Sequence, residues 1–351
     1  MSATPADVLV LGLGPAGACA AAQAARSGCT VLAIERKPVA GLPVQCAEFV
    51  PTMIGMDVRD LASSVRQRIA AMTTFVEQDA PDIQENFPGH MLDRAAFDAQ
   101  LVEQAMLAGA HCMFGVNARR ISPTGLVSLS DGRTIRPRVI VGADGPRSLA
   151  GRAINCINTA LVETRQITVP LNQPHEATDI FLSADIPGGY GWLFPKGEVA
   201  NLGAGVDPAH KHQLKAIVAR LHKSLMRGGQ VGAAILNLTG GLIPVGGMLQ
   251  PWGALGQTRV LLAGDAAGLT NPVTGAGINA AVQSGRLAGQ AAAATLTGNT
   301  IAHLEYEEEL ENVFGAALAR ARQRRIALAA QRPDKAALRR SWIAYPQYWA
   351  V

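Results

Sequence analysis

Short apolar runs separated by glycine-rich turns mark the first part of the chain as an α/β unit. Residues 8–11 (Val-Leu-Val-Leu) form an unbroken apolar run, the pattern of a strand buried on both faces. An alanine-rich stretch continues to about Ser27 and stops at Gly28, which is typical of a helix and its C-terminal cap. Residues 30–34 are a second apolar run. The order strand, helix, strand predicts a Rossmann-type βαβ unit.

The pattern changes between residues 156 and 255. Apolar runs there are short and alternate with polar residues, as in residues 177–182, and Thr, Pro and single Gly residues lie between them. This alternation predicts a mainly antiparallel sheet. Residues 139–142 and 260–263, each preceded by an arginine, are again unbroken apolar runs, and an alanine-rich helix through Ala293 follows. We therefore predict an α/β protein with an inserted, mainly antiparallel β domain and a C-terminal helix from about His303 to Gln331.

The expected domain boundaries follow from these changes. The nucleotide-binding domain is expected in three parts, a substrate-side insertion separates the first two, and the antiparallel sheet separates the second and third. In chain order the segments are 1–50 (nucleotide-binding, first part), 51–90 (insertion), 91–155 (second part), 156–255 (antiparallel sheet), 256–300 (third part) and 301–351 (C-terminal helix and tail).

Composition narrows the class of protein. Of 351 residues, 48% are hydrophobic and 17% charged, whereas about 25% are charged in an average soluble protein, so a disordered chain is excluded. No run of about 18 apolar residues predicts a membrane span, and the first residues lack the pattern of a signal peptide. Five cysteines without a C-x-x-C pair favour a reduced, cytoplasmic protein without a disulfide framework or metal site. A net charge of +4 is too small to indicate a nucleic-acid-binding surface.

The first strand runs into a phosphate-binding fingerprint. The sequence Gly12-Leu-Gly14-Pro-Ala-Gly17 separates strand from helix, and Glu35 ends the second strand about 20 residues later. Gly12 is expected to form the tight turn, Gly14 to let the backbone approach a pyrophosphate, and Gly17 to let helix and strand pack closely. In this context the motif predicts a dinucleotide site, with NAD and FAD both open.

Two later strands also end in a small residue followed by aspartate. Residues 138–142 lead into Ala143-Asp144-Gly145, and residues 259–263 lead into Gly264-Asp265. A glycine-rich turn, residues 271–277, then opens the second alanine-rich helix. Carboxylates at the carboxyl ends of parallel strands lie where ligands bind in open α/β sheets, although each Asp alone is also a common turn former.

These three motifs, in this order, resemble the large FAD-dependent hydroxylase and reductase fold of the p-hydroxybenzoate hydroxylase type. The resemblance implies that Glu35 holds the adenosine ribose, Asp265 the ribityl chain and Arg94 the cofactor, and that Asp144 lies under the pyrophosphate. It implies that residues 275–277 face the isoalloxazine. The full expected set of cofactor contacts is Gly12, Gly14, Pro15, Ala16, Gly17, Glu35, Arg36, Gln45, Cys46, Arg94, Ala143, Asp144, Gly145, Gly264, Asp265, Pro272, Gly275, Ala276, Gly277 and Ile278.

Three aromatic residues stand at every second position within the antiparallel region. Tyr190, Trp192 and Phe194 would project from one face of a strand, and glycines flank them. One interpretation is an aromatic wall beside the flavin that holds a flat or long apolar substrate. The other is a stripe of ordinary sheet core.

The same strand, with its Tyr-x-Trp-x-Phe-Pro-Lys sequence and a following Asn-x-Gly-x-Gly, resembles the geranylgeranyl reductase family. Residues 41–48, which contain Cys46, and residues 269–277 resemble two further segments of that family. The resemblance implies saturation of isoprenoid double bonds by hydride transfer from reduced flavin, with a proton delivered to the other alkene carbon. Cys46, Tyr190, Trp192 and Phe194 are the expected catalytic residues, with Cys46 and Tyr190 on the proton side. Simple packing is the alternative for Cys46.

Other functions stay open at this point. A flavin monooxygenase acting on an aromatic, even protein-borne, substrate shares these motifs, and a flavin halogenase ranks third because its Trp-x-Trp-x-Ile-Pro strand is missing. A flavin-containing accessory protein is a further alternative. No second nucleotide fingerprint is present, so NAD(P)H or another electron donor is expected to bind transiently.

The C-terminal region is basic and aromatic. Residues 320–340 contain eight Lys and Arg residues against one Asp, and the last ten residues hold half of the Trp and half of the Tyr. This composition suits contact with a membrane surface or a protein partner through residues 320–351, which would make a cytoplasmic protein membrane-peripheral. A tail packed on the core is an equal alternative.

Overall fold

The structure is a computed structural model that describes residues 6–58, 60–328 and 333–350. In chain order its strands are β1 Val8–Leu11, β2 Val31–Glu35, β3 Phe49–Pro51, β4 Val65–Ile69, β5 Ala71–Val76, β6 Asp82–Gln84, β7 Gly89–Leu92, β8 His111–Phe114, β9 Ala118–Ile121, β10 Val127–Leu129, β11 Thr134–Ile135, β12 Val139–Gly142, β13 Leu161–Pro170, β14 Ala177–Leu182, β15 Gly191–Lys196, β16 Val199–Val206, β17 Asn237–Thr239, β18 Leu242–Pro244, β19 Trp252–Leu255 and β20 Thr258–Leu262. Its α-helices are α1 Pro15–Arg26, α2 Arg94–Leu107, α3 Leu149–Ala153, α4 Leu214–Arg227, α5 Ile278–Leu296, α6 Ala302–Leu310, α7 Ala316–Leu328, α8 Lys335–Arg340 and α9 Pro346–Trp349.

A six-stranded sheet forms the nucleotide-binding half, with strand order β19-β20-β12-β1-β2-β8. All its pairs are parallel except β19 with β20. Every residue of β1 and β12 is buried, which explains why both read as unbroken apolar runs. The carboxyl ends of β1, β12 and β20 are neighbours, so the three motifs that follow these strands meet at one edge of the sheet.

Helices α1 and α5 pack on this sheet and on each other at very close range. A Cβ added to Gly285 of α5 would lie 2.1 Å from the Ala16 carbonyl oxygen of α1, so no larger residue fits there. Pro15 occupies the first turn of α1, and Ser27 with Gly28 (φ +85°) ends it as predicted. The small residues of both helices therefore serve this close contact.

A second, larger sheet has eight strands, and we call it the cavity sheet. Its order is β17-β13-β16-β15-β14-β5-β6, with β18 also paired to β13. Its pairs are antiparallel except β14 with β5. Strands β5 and β6 come from the expected insertion 51–90, so this segment completes the sheet formed by residues 161–244. Strand β19 belongs to the parallel sheet although it lies within the expected segment 156–255.

The remaining elements extend the two halves. Strands β3, β7 and β4 form a small antiparallel sheet beside the cavity sheet, and β9, β10 and β11 form another. The expected C-terminal helix is α6 and α7, joined by a π-helical segment, Glu311–Gly315. Its expected end, Gln331, lies outside the described residues, as does Arg332. Helices α8 and α9 belong to the segment 333–350, which we call the C-terminal tail. No helix in the described part of the chain is long and apolar enough to cross a membrane.

Candidate functional site

The glycine-rich loop after β1 has the geometry expected for binding a pyrophosphate. Gly12 has φ +90°, and a Cβ on Gly17 would lie 1.8 Å from the Gly12 carbonyl oxygen, so both positions require glycine. A Cβ on Gly14 would meet no atom within 4 Å. The backbone at Gly14 thus faces open space at the start of α1, where the free N–H groups of the helix favour an anion.

Glu35 is fixed beside this loop. Its Oε2 accepts a hydrogen bond from the backbone N–H of Leu13 at 2.8 Å, and its Oε1 accepts one from Lys37 at 3.0 Å. The carboxylate is partly exposed next to the glycine-rich loop. This position suits a bond to a ribose hydroxyl, as the fingerprint predicts.

The two strand-end aspartates differ in their surroundings. Asp144 accepts hydrogen bonds from the Ser148 hydroxyl at 2.5 Å and the Leu149 N–H at 2.6 Å, so its carboxylate fixes the start of α3. Burial raises the pKa of Asp144, although these hydrogen bonds lower it. Asp265 accepts one bond, from the Thr270 hydroxyl at 2.6 Å, and borders a cavity that we call the main cavity. Burial raises its pKa as well, against the nearby Arg94 charge.

Helix α5 begins at this cavity. Gly277 precedes it, no side chain caps its N–H groups, and its first turn carries no acidic residue. A 19-residue helix carries a partial positive charge at this end, which stabilises electron-rich ligand atoms. An open glycine loop, a carboxylate with hydrogen-bonding capacity and an uncapped helix start on one edge together fit FAD.

The main cavity has a volume of about 470 Å³ and extends from the nucleotide edge to the cavity sheet. Sixteen of the predicted site residues line it: Gly14, Pro15, Ala16, Gln45, Cys46, Arg94, Ala143, Gly145, Tyr190, Trp192, Phe194, Asp265, Gly275, Ala276, Gly277 and Ile278. The other predicted residues lie outside its lining: Gly12, Gly17, Glu35, Arg36, Asp144, Gly264 and Pro272. The dinucleotide loop and the aromatic strand are thus parts of one site.

The aromatic wall, Tyr190, Trp192 and Phe194, lies on one face of the strand as the period-two spacing predicts. Ring centroids are 5.8 Å apart for Tyr190 and Trp192 and 6.4 Å apart for Trp192 and Phe194. The Trp192 Nε1–H donates to Gln166 Oε1 at 3.0 Å, and Gln166 Nε2 donates to the Cys46 carbonyl at 3.1 Å. Gln166 therefore connects the wall to the cysteine segment.

Tyr190 uses its hydroxyl within the protein. The O–H donates to the Thr274 carbonyl oxygen in the turn before α5. Burial raises the pKa of Tyr190, and the neighbouring Cys46 adds to this. The phenol proton is therefore held by a backbone acceptor, and the ring forms part of the wall.

Cys46 borders the cavity and lies among charged groups. Its sulfur accepts the Glu48 N–H at 3.2 Å and also interacts with the Arg94 guanidinium. Arg94 forms two 3.0 Å hydrogen bonds to the Asp98 carboxylate. Burial alone would lower the pKa of Arg94, but Asp98 and Cys46 raise it above its ordinary value. The cation is thereby fixed beside the sulfur.

Glu48 is an important residue that the sequence did not single out. It is 4% exposed and has φ +73°, a strained conformation for a residue with a side chain. Its Oε2 accepts bonds from Lys196 Nζ at 2.6 Å and Asn201 Nδ2 at 2.8 Å, and its Oε1 accepts the Arg94 N–H at 3.2 Å. Lys196 ends the Tyr-x-Trp-x-Phe-Pro-Lys segment, and Asn201 begins the Asn-x-Gly-x-Gly segment that follows it. These two family-like segments were the sequence signal that could have pointed to Glu48.

The C-terminal tail packs against the cavity. Trp342, Tyr345 and Tyr348 are buried, and Trp342 and Ile343 line the main cavity beside the aromatic wall. The centroid of a Trp342 ring is 4.8 Å from that of Tyr190. Most of the tail therefore packs on the core, which is one of the two alternatives that the sequence left open. Trp349 differs, because its side chain is 54% exposed.

Several basic residues of this region also have partners within the chain. Arg325 donates to the carbonyls of Pro272 at 3.1 Å and Gly188 at 2.7 Å, and Arg339 pairs with Asp79 at 2.8 Å. Burial lowers the pKa of Arg325, while Asp207 opposes this. These hydrogen bonds and this ion pair hold α7 and the C-terminal tail against the rest of the protein. In the described residues no group of three or more His, Cys, Asp or Glu side chains could hold a metal ion.

Known families and proteins are similar to this chain along most of its length. Models of an FAD-dependent oxidoreductase, a geranylgeranyl reductase catalytic domain and an FAD-binding domain match residues 7–128, 159–243 and 253–321. Digeranylgeranylglycerophospholipid reductase 2 of Methanopyrus kandleri is 32% identical over 342 residues, covering 88% of this chain and 83% of the relative. The digeranylgeranylglycerophospholipid reductase of Methanosarcina acetivorans is 30% identical over 326 residues, covering 87% and 79%.

Solved structures share the fold of this chain. A geranylgeranyl bacteriochlorophyll reductase-like protein from Thermoplasma acidophilum has a TM-score of 0.83 and 26% identity, covering 95% of this chain and 89% of that one. A probable FAD-dependent monooxygenase from Pseudomonas aeruginosa has a TM-score of 0.71 at 20% identity, with 95% and 98% coverage, and shares the fold alone. The predicted FAD-binding fold and FAD-dependent oxidoreductase class are confirmed, and the chain belongs to the geranylgeranyl reductase family.

Proposed function

We propose that this protein reduces carbon–carbon double bonds in the isoprenoid chain of a lipid. The observation that carries this proposal is the continuity of the main cavity, which joins an FAD-binding edge to an apolar chamber. Besides the aromatic wall, the apolar side chains around the chamber are Phe49, Met72, Phe87, Ile180, Trp342 and Ile343. A long hydrocarbon chain gains free energy when it leaves water for such a surface.

The relatives support this substrate class. Those from Methanopyrus kandleri and Methanosarcina acetivorans are named as reductases of digeranylgeranylglycerophospholipids. An alkene chain of this kind has no polar group to orient it, so shape and apolar contact must position it. The rigid rings of the wall and of Trp342 are suited to that task because they lose little side-chain entropy when a ligand binds.

Reduction of an alkene needs a hydride on one carbon and a proton on the other. FAD, when bound and reduced, supplies the hydride, and a transient donor such as NAD(P)H renews it. For the proton, Cys46 is the better candidate of the two predicted groups. Its sulfur borders the cavity, whereas the Tyr190 proton is donated to Thr274. Arg94 and the Glu48 N–H orient the Cys46 sulfur. The wall and the tail keep water from the reacting carbons.

The test uses purified protein with bound FAD, reduced chemically under nitrogen and mixed with geranylgeraniol. The expected product gains two hydrogen atoms for each alkene reduced, measured by mass spectrometry. Cys46→Ser is expected to slow product formation by at least about tenfold while FAD stays bound. Cys112→Ser, at a cysteine outside the cavity lining, is the matched control. Recovery of unchanged alcohol, or of a product that carries oxygen from O₂ under air, would contradict the proposal.

A further inference from the structure

Residues 46–48, which we call the cysteine turn, are held by hydrogen bonds at every residue. The carbonyl oxygens of the three residues accept, in chain order, Gln166 Nε2 at 3.1 Å, Asn201 Nδ2 at 3.3 Å and the Leu92 N–H at 2.9 Å. The first two donors belong to the cavity sheet and the third to β7. The cysteine turn is therefore fixed between two sheets.

The Glu48 carboxylate, at the end of this turn, accepts three further hydrogen bonds. Lys196 Nζ and Asn201 Nδ2 donate to Oε2, at 2.6 and 2.8 Å, and the Arg94 N–H donates to Oε1 at 3.2 Å. The side chain is only 5% exposed, so little water could replace these donors. A carboxylate offers acceptors on both atoms, whereas an amide would present its NH₂ group to one of the three donors. The site therefore requires glutamate and not glutamine.

The carboxylate bonds also explain the backbone conformation of Glu48. Its φ of +73° is strained, and such a conformation persists only where surrounding contacts impose it. In this conformation the Glu48 N–H donates to Cys46 Sγ at 3.2 Å. If the carboxylate lost a donor, the turn could relax, and the sulfur would lose both this N–H and its place beside Arg94.

We propose that Glu48 is a positioning residue that holds the Cys46 sulfur where its thiol reaches the alkene. This proposal rests on the proposed function. When Cys46 delivers its proton, the S–H bond breaks, a C–H bond forms and a thiolate remains, and a proton from water then restores the thiol. The Glu48 N–H and the Arg94 guanidinium stabilise that thiolate. Glu48 thus acts on the reaction through Cys46.

Kinetics of Glu48→Gln provide the first test. The FAD-bound protein is reduced chemically, mixed under nitrogen with increasing geranylgeraniol, and followed by the absorbance of the reoxidised flavin. The maximal rate is expected to fall at least about tenfold, because proton delivery is impaired. The half-saturating concentration is expected to change less than about twofold, since the aromatic wall stays intact. In the Cys46→Ser background, Glu48→Gln is expected to slow the reaction by less than about twofold, because the group that it positions is already missing.

Glu77→Gln is the matched control. Glu77 also has a positive φ, +52°, and its carboxylate accepts the Ser183 hydroxyl at 2.9 Å and the Ala184 N–H at 2.7 Å. It lies outside the lining of the main cavity, so its maximal rate is expected to stay within about twofold of the wild type. If Glu48→Gln binds no FAD, Asn201→Ala replaces it in the same experiments, because it removes one donor to Glu48 and leaves the Lys196 pair in place.

Two kinetic outcomes would overturn the proposal. One is a loss of rate that recurs in full in the Cys46→Ser background, since Glu48 would then act independently of Cys46. The other is a change confined to the half-saturating concentration, since Glu48 would then serve substrate binding alone.

Alkylation of Cys46 by iodoacetamide separates this proposal from the proposed function, because it needs no alkene. Mass spectrometry of the Cys46 peptide measures its rate. Glu48→Gln is expected to slow it at least about threefold, as the sulfur loses donors that favour the reactive thiolate, and Glu77→Gln is expected to leave it unchanged. If the wild type reduces no alkene but Glu48→Gln slows alkylation, the proposed reaction is wrong and the positioning role stands. If geranylgeraniol is reduced and Glu48→Gln changes neither rate, the reaction stands and Glu48 does not position the sulfur.

Discussion

Replacing Trp342 tests whether the C-terminal tail is a functional wall of the main cavity. The side chain is 2% exposed and contacts the ring of Tyr190. Trp342→Ala removes a buried indole, so the free energy of unfolding should fall by about 3–5 kcal/mol. Trp342→Phe keeps a ring and should cost about half as much. Trp349→Ala, at a residue 54% exposed, should cost less than about 1.5 kcal/mol.

The same variants should affect ligand binding, because Trp342 lines the cavity. We expect the Kd of geranylgeraniol to rise about threefold in Trp342→Phe and about tenfold in Trp342→Ala, as apolar contact is lost. Denaturant unfolding at saturating FAD and equilibrium binding measure the two effects. If Trp342→Ala destabilises the protein no more than Trp349→Ala, the tail is not packed as described. If stability falls but the Kd does not change, Trp342 supports the fold and is not a wall.

Three further changes test other parts of the site. Gly14→Val should raise the Kd of FAD at least about tenfold, which calorimetry measures. The free energy of unfolding of the apoprotein should change by less than about 1 kcal/mol, because a Cβ at this position meets no atom, and denaturant unfolding of the apoprotein measures this change. Lys196→Met should lower the free energy of unfolding by about 2–4 kcal/mol, because the buried Glu48 carboxylate loses its cation. Adding Glu48→Gln to this variant should recover part of the lost free energy, whereas an additive loss would contradict the pairing. The Asp179 hydrogen bond raises the pKa of His175, so this pair should stabilise the fold fully below about pH 6.5 and lose its effect as the pH rises through the raised pKa. His175→Gln should flatten this dependence in unfolding experiments across that range, and an unchanged slope would refute the assignment.

Local patterns predicted the nucleotide edge well. The roles of Gly12 and Gly17 depend on backbone within a few residues of each motif, and on the parallel pairing that buried apolar runs imply. The spacing of Tyr190, Trp192 and Phe194 likewise fixes one face of a strand, whatever the strand packs against. These parts of the site could be predicted because their geometry is set within one element or between adjacent elements.

Other parts of the site depend on contacts between distant segments. Glu48 receives its cation from Lys196, and the tail reaches the cavity through Trp342; neither contact has a periodic signal at its own position. Asp144 shows a further limit, because an aspartate at a strand end is suited equally to a ligand and to a helix start. The fold decides between these roles.

The parallel pairing of β5 with β14 has a consequence for how the molecule is made. Ala71 pairs with Ala177, so a strand synthesised early must wait for its neighbour until the intervening parallel strands β8 and β12 have left the ribosome. The two halves of the enzyme therefore interlock in sequence and cannot mature one after the other as independent modules. Cutting the chain between its two sheets would leave both fragments incomplete. Chimeras that exchange the chamber between relatives must carry residues 51–90 together with residues 156–250.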